Sequence, residues 1–577
     1  MEVPMLGITA WCTISMLSFI ILFPSAVVSD PIKVDFSHCR NSTYITTVTP
    51  NGPTESIQCC PPLPTRPIID GPPPPSTKSI RVRKASQCTD AAYAAKLEKA
   101  YALMRALPDD DPRSFTQQWY LHCSYCGGAF LTTNSSGVPE GIDIHWSWLF
   151  FPWHRWYLYF HERILQSLLE DPTFSLNYWN WDSPYTVGGQ SSKSHDDHEA
   201  CLKEGADFPF IYSDSSSAVY DVNRSENAKG NGRLHFPDIS YRPLVAAAQQ
   251  PLYNASAEDI IGSNLNILYK ALVSSGTTTE TFMGRPYRAG NLPGSGAPNG
   301  GAGTLEVGAH SGVHSWTGRD PPSNDMGLLS RSARDPVFYA HHSNVDRLWQ
   351  VWKDIGPILG QKHEDYTDPD FLNAEFLFYD ENKDLRRVTV ADSLDSKKLG
   401  YVYQDANDAP WIFYNSTKCS QLSYHELLAQ AQSLPSPLKD SKGYYSLEGG
   451  ETFTVVVDRP ENPQNLEEFL TIDGINLDRT WSTGFDVFVD WLNPTEYTAP
   501  SKCAEYNGRF TNLAQSPAAT QGKRDLVWKQ SVTRTLVDIG ASTASSSRIV
   551  ITIVPLFHHG SGSDETIRFK DIKVDTS

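Results

Sequence analysis

The sequence predicts a mainly α region with long loops, followed by a smaller all-β region that reads as a β-sandwich. Three features lead there. Several segments before Trp352 repeat apolar residues at helical spacing; beyond Tyr403 the pattern switches to period-two segments separated by turn residues; and between the two lies a stretch rich in Pro, Lys and Gly. The 577 residues are 40% hydrophobic and 11% aromatic, enough for large cores and too apolar for general disorder. At roughly 150 residues per domain, the length suits two to four domains.

In chain order, residues 6–22 are apolar apart from Thr and Ser, and residues 26–29 supply small side chains, so residues 1–29 are expected to be a signal peptide. Glu2 is the only charge before that run, and a retained anchor is the alternative. Sequons at Asn41, Asn134, Asn223, Asn254 and Asn415 agree with a luminal route. No other stretch is apolar for long enough to span a bilayer, so the mature form is expected to be soluble, without a membrane segment.

Residues 30–403 make up the expected main domain. Within it, residues 51–76 are Pro- and Thr-rich, with four consecutive prolines at 72–75, and should run as an extended arm. Residues 91–107 have helical spacing; Thr89 or Asp90 can cap them, and the Pro and Asp cluster at 108–112 stops them. Residues 148–170 are again helical, with Pro152 tolerable in a first turn or marking a kink. A Gly-rich loop over 289–303 leads into residues 304–316, and 335–352 are helical. Residues 404–445, holding Pro435, Pro437, Lys439, Lys442 and Gly443, suit an exposed connector open to proteolysis. Segments 452–457, 485–489 and 548–554 alternate in the manner of strands and place the β-sandwich at 446–577.

Lys and Arg number 48 against 66 Asp and Glu, and the resulting net charge of −18 argues against nucleic acid as a partner. Ten Cys less Cys12 of the leader leave nine, so one thiol needs another explanation. Adjacent Cys59 and Cys60 cannot easily pair with each other; Cys39 and Cys123 are candidate partners.

Chemistry is suggested by histidines in two groups. The first comprises His122, within His122-x-x-Tyr125-Cys126, then His145 and His154. Nine residues are about 900° on a straight helix, so the last two converge only if the backbone bends or one precedes the helix. In the second, Glu306, His310 and His314 follow at steps of four, on one helical face, before His341 and His342. Neighbouring residues point about 100° apart, so only one of the last two is easily a ligand. One such histidine is usually a core residue, but three per group, twice, indicate metal. All-imidazole sets without carboxylate ligands point to redox-active copper, with a hydrolytic zinc site as the alternative.

The motifs Asp143-Ile144-His145-x-Ser147-Trp148-Leu149-Phe150-Phe151-Pro152-Trp153-His154-Arg155, Glu306-x-x-x-His310-x-x-x-His314 and Asp335-Pro336-Val337-Phe338-Tyr339-Ala340-His341-His342-Ser343-Asn344-Val345-Asp346-Arg347 resemble the plant polyphenol oxidases, that is catechol oxidases, plant tyrosinases and aurone synthases. The likeness runs on through Tyr401-Val402-Tyr403 to Gly484-Phe485-Asp486-Val487-Phe488-Val489. The resemblance implies a type 3 dicopper centre in a four-helix bundle, with two copper ions per chain. Copper A would be held by His122, His145 and His154, and copper B by His310, His314 and His342, with Asp346 orienting His342. It also implies a thioether from Cys126 to His145, which would account for the odd thiol, and disulfides Cys39 to Cys60 and Cys59 to Cys123. Cys88, Cys201, Cys419 and Cys503 fall outside that pattern.

The activity so implied is oxidation of o-diphenols to o-quinones with O2 reduced to water, with small phenols and O2 as partners. Glu306 matches a carboxylate that holds a water near copper B. Ser311 stands where hydroxylating members often have Asn, Leu329 where many have a gatekeeper Phe, and Trp146 where a smaller side chain is usual. Monophenol hydroxylation, aurone-synthase-like activity and reversible O2 carriage of the hemocyanin kind are the competing readings. The tail resembles the domain that shields the site in latent members until a protease acts. Because most relatives carry a Ser-rich plastid leader, this leader suggests the secretory pathway, ending in the vacuole lumen or cell exterior rather than the thylakoid.

Overall fold

The computed structural model describes residues 30–39, 58–133, 139–183, 206–229, 236–240, 255–289, 301–318, 324–404, 409–448, 451–461, 466–479, 482–496, 499–515, 525–541, 547–556 and 566–576. The proposed leader, Cys201 and the sequons at Asn41, Asn134 and Asn254 lie outside them. Among the described residues, no helix is long and apolar enough to cross a membrane.

Helix α1 (Ala91–Arg105) starts at Asp90, whose side chain accepts the Tyr93 N–H at 2.7 Å. Helix α2 (Phe115–Cys126) is capped by Ser114 in the same way. Helix α3 (Phe150–Leu169) holds Pro152 in its first turn, where no intrahelical N–H is lost. From Phe150 to Gln166 every residue of α3 is buried, so it forms the axis of the helical region. Helix α4 (Ala257–Tyr269) has a Ser256/Asp259 capping box. Helix α5 (Ser311–Thr317) follows a π-helical turn, Glu306–His310, and α6 (Val337–Leu359) runs seven residues beyond the expected end at Trp352. One hydrophobic core surrounds these helices and includes Trp148, Trp153, Trp156, Trp349 and Trp352.

Charge as well as apolar packing fixes α3 against α6. Asp346 of α6 accepts Arg155 Nε of α3 at 2.6 Å, and the Tyr401 and Tyr403 hydroxyls at 2.7 and 2.6 Å. Glu162, two turns along α3, accepts Arg81 Nη2 at 3.0 Å, Arg83 Nε at 2.9 Å and the Leu176 N–H at 2.8 Å. Burial alone would raise the Asp346 carboxyl, but Arg155 and Arg83 hold it below its usual range. This corrects the expected role of Asp346: its oxygens face Arg155 and the two tyrosines, while His342 Nδ1 has no partner. The Pro-rich arm crosses the same helix, where the Pro73 and Pro74 carbonyls accept the Tyr159 hydroxyl and an Arg163 N–H.

The stretch expected to be a plain connector is partly structured. Trp411 is fully buried and donates to Asp182 at 3.2 Å. Helix α7 (Tyr424–Ser433), with a Ser423/Glu426 capping box, packs Leu427 and Ala431 against Val550. Beyond it the C-terminal region is sheet-rich. Strands β1 (Phe453–Asp458), β3 (Thr483–Val489), β4 (Tyr506–Asn512) and β6 (Arg548–Leu556) form an antiparallel sheet of order β4-β3-β6-β1. Strands β2 (Glu468–Ile475), β5 (Leu526–Ser531) and β7 (Asp571–Thr576) form a second, of order β5-β2-β7. Phe485, Phe510, Leu470, Ile472 and Trp528 bring both sheets into one core. Asp486 pairs in register with Arg509, and Arg509 also donates to the Ile239 and Ser240 carbonyls of the helical region at 3.2 Å each.

Asp346→Ala leaves Arg155 buried without its partner, and the expected cost is about 3–5 kcal/mol of stability. A lowered denaturant midpoint at unchanged m-value would show it; a loss below about 1 kcal/mol would mean that the hub is dispensable.

Candidate metal centre

Five helical segments and one loop bring seven imidazoles together. His122 lies in the last turn but one of α2, His154 on the second turn of α3, His310 at the end of the π turn, His314 on α5, and His341 and His342 on α6. His145 precedes α3, so the half-turn mismatch with His154 is resolved in the loop. There Trp146 takes φ +61° and Gly284, at φ +94°, packs so closely that an added Cβ would lie 2.9 Å from the Ser147 carbonyl carbon. The π turn likewise modifies the expected run from Glu306 to His314, as is frequent at functional sites.

The imidazole nitrogens form two groups, His122, His145 and His154, and His310, His314, His341 and His342. All seven residues are at most 4% exposed. His154, His310 and His314 donate Nδ1–H to the carbonyls of Phe150, Glu306 and Met326 at 2.8, 3.0 and 2.9 Å. That fixes the tautomer and turns each Nε2 lone pair inward. Nε2 of His122, His145, His154 and His310 meets no donor, and His314 Nε2 and His342 Nε2 face each other at 3.4 Å. Buried acceptors without donors are costly, and an imidazole-preferring cation in each group relieves them. The donor set therefore fits two copper ions.

The groups meet face to face: the His154 ring stacks on His342 at 4.1 Å. Phe338 lies 5.0 Å from His122 and 4.2 Å from His342, and Phe150 is 4.8 Å from both His154 and His310, so aromatic rings wall the space. Burial, then the neighbouring imidazoles, pushes His122, His154, His310, His341 and His342 well below the usual histidine range, and burial takes His314 to about 3.

Glu306 Oε1 accepts the Trp146 N–H at 2.7 Å, while Oε2 has no partner; burial pushes this carboxyl well above its ordinary range. Ser311 donates to the Glu306 carbonyl at 2.7 Å. Cys126 is buried and free of disulfides, its Sγ 3.7 Å from His122 Nδ1. Leu329 packs with Cys126 and with Leu513 of the sheet-rich region, and donates its N–H to the Ala514 carbonyl at 3.0 Å. Disulfides join Cys39 to Cys60, Cys59 to Cys123 and Cys419 to Cys503, and Cys88 is bridged as well. The sequence marked Trp146 only for its bulk; its side chain enters the core of the sheet-rich region 5.4 Å from the Phe510 ring.

The common central domain of tyrosinase matches residues 112–355, the polyphenol oxidase middle domain 365–417 and the chloroplastic polyphenol oxidase C-terminal domain 450–576. Aureusidin synthase of Antirrhinum majus is 37% identical over 546 residues, covering 90% of this chain and 85% of that protein. The chain belongs to the plant polyphenol oxidase family. A polyphenol oxidase of Vitis vinifera is 38% identical over 553 residues, 93% of this chain and 81% of its own length. Latent apple tyrosinase superposes with a TM-score of 0.72 at 36% identity, over 89% of this chain and all of that one. Polyphenol oxidases of this family are type 3 copper enzymes, and the two histidine groups are consistent with two copper sites per chain.

The same comparison corrects the expected address. The polyphenol oxidases of Vitis vinifera, Malus domestica and Vicia faba are named chloroplastic, which points to the plastid instead of a secretory route to the vacuole or exterior. An apolar run followed by small residues signals transfer across a membrane but does not say which membrane.

The depressed imidazoles set a pH dependence. Where the folded pKa lies below the unfolded value near 6.5, the unfolded chain binds more protons, so stability falls as pH drops through and below about 6.5. Copper-free protein should therefore lose thermal midpoint from pH 7 to pH 5, and copper-loaded protein, whose rings protonate only after the metal leaves, should start higher and fall at least as steeply. Parallel melts of the two forms check this; a copper-free midpoint that holds constant from pH 7 to pH 5 would refute it.

Proposed function

We propose that the chain oxidises o-diphenols to o-quinones, two diphenols for each O2 reduced to two waters. The observation that carries this reading is the pair of buried, donor-free imidazole groups set face to face. We assign His122, His145 and His154 to copper A and His310, His314 and His342 to copper B. His342 is preferred because its ring stacks on His154 of the other group, whereas the ring contacts of His341 are with His310, His314, His342 and Trp181 and with none of the first group. When bound, the copper pair supplies the two-electron chemistry toward O2.

The protein's own groups then have defined tasks. Phe150 and Phe338 exclude water from between the clusters, and Glu306 Oε2 is free to take a phenol proton while Oε1 is held by the Trp146 amide. The raised affinity of Glu306 for protons favours that role. Ser311 restrains the π turn that carries Glu306. A thioether from Cys126 to His145 is retained as part of this reading, because Cys126 is the free thiol among the described cysteines. Leu329 would admit a bulkier ring than Phe. The identity with aureusidin synthase keeps hydroxylating and aurone-forming activity as the second reading.

The sheet-rich region, read as a β-sandwich, is proposed to keep the site latent, since Leu513 covers Leu329. An activating protease would find the chain most open between Leu434 and Lys442, where Leu438 is 87% exposed.

Copper analysis with a panel of mono- and diphenols, on full-length and trimmed protein, tests the whole reading. Two coppers and rapid catechol turnover are expected; one copper, or reversible O2 uptake without quinone, would end it. Glu306→Gln should keep both coppers and lower kcat by about 10²–10⁴-fold, and an unchanged kcat would remove the proton-acceptor role.

Because the Cys419 to Cys503 disulfide spans the open stretch, a cut between Leu434 and Lys442 leaves both fragments linked. One band on a non-reducing gel and two after reduction are expected; two bands without reductant would contradict the tether.

A further inference from the structure

The six assigned histidines differ in what stands behind the ring. His154, His310 and His314 face backbone carbonyls, His122 faces the Leu329 backbone and the Cys126 sulfur, and neither His342 Nδ1 nor His145 Nδ1 makes a close hydrogen bond. Among them, His145 is the one set against a carboxylate. Asp143 Oδ1 lies 3.4 Å from His145 Nδ1 and accepts the His145 backbone N–H at 3.0 Å, so it is fixed to the residue it faces. Its second oxygen lies 3.3 Å from Arg479 Nη2. Arg479 comes from the sheet-rich region, in the segment between β2 and β3, and its guanidinium also covers the Trp146 ring at 5.5 Å. The side chains of Asp143 and Arg479 are 15% and 9% exposed, which limits screening of the pair by solvent.

A carboxylate behind a metal-bound imidazole fixes its tautomer and strengthens it as a donor, and a guanidinium on that carboxylate offsets part of the effect. We propose that Asp143 is the positioning residue for His145, and that Arg479, reaching in from the tail, sets how much of the carboxylate's charge the imidazole feels. The two regions of the chain thus meet electrostatically at copper A. This inference rests on the two-copper reading above.

The test uses full-length, copper-loaded protein and two readouts other than turnover: the rate of copper loss to a chelator, and the midpoint potential of the copper pair. Wild type is first counted for copper, and fewer than two ions per chain would overturn the functional reading itself. Asp143→Asn, nearly isosteric, should lose copper about 10- to 100-fold faster and raise the potential, because a weaker donor stabilises the oxidised metal less. Asp143→Glu, which keeps the charge, should recover part of the retention. Arg479→Gln should move the potential the opposite way, since the carboxylate is then less compensated. A two-copper wild type whose Asp143→Asn variant releases copper at the same rate and potential overturns the positioning role. Shifts of the same sign in Asp143→Asn and Arg479→Gln overturn the charge balance, because a purely structural lesion would not separate them.

Discussion

The constraint on which the rest depends is the burial of seven imidazoles with almost no donors to answer their inward nitrogens. Such a set is tolerable only if every ring is neutral, its outer nitrogen occupied where the backbone permits, and its inner one reserved for a cation. The surrounding architecture serves that requirement. Helix α3 is buried over most of its length, so His154 cannot swing outward. The π turn and the left-handed Trp146 let Glu306, His310 and His145 reach a common space that an unbroken helix would not allow. A site of this kind cannot be approximately right, because a ring turned away would leave a nitrogen buried without a partner.

The arginine–carboxylate hubs explain how helices from distant parts of the sequence hold that geometry. Asp346 and Glu162 sit on the two helices that carry His342 and His154; Asp346 is answered by Arg155 of α3 and by the Tyr401 and Tyr403 hydroxyls, and Glu162 by Arg81 and Arg83. Hydrogen bonding at nearly every oxygen makes these charges specific in direction, which apolar packing alone is not. The arm, which is also bridged through Cys59 to Cys123 beside His122, and the Tyr401-Val402-Tyr403 strand are therefore part of the frame of the site.

Much of this was legible in the sequence because it is local. Helical spacing located α1 and α3 to within a few residues and the start of α6, whose end lies seven residues further on, and alternation located β1, β3 and β6. The histidine spacing announced a metal, and its one inconsistency, between His145 and His154, correctly anticipated a break before the helix. What escaped was tertiary or was hidden by composition. The capping box of α7 lies among prolines and lysines that suggest an open connector. Trp146 looked like an oversized neighbour of a ligand because the cavity that accepts it is built by strands more than 300 residues away. Asp346 is four residues from His342, a spacing that predicts contact, yet Arg155 and two tyrosines compete successfully for its oxygens. An apolar run followed by small residues, as at 6–29, is a pattern of transfer across a bilayer that does not specify the organelle.

Trp146 is anchored at both ends: its indole is clasped by the sheets, and its amide holds the Glu306 carboxylate beside the histidines. Any force that lifts the sheets must pull on that amide through a single Cα. If the sheets cover the site as proposed, uncovering it and changing the surroundings of the Glu306 carboxylate would for this reason be one mechanical event.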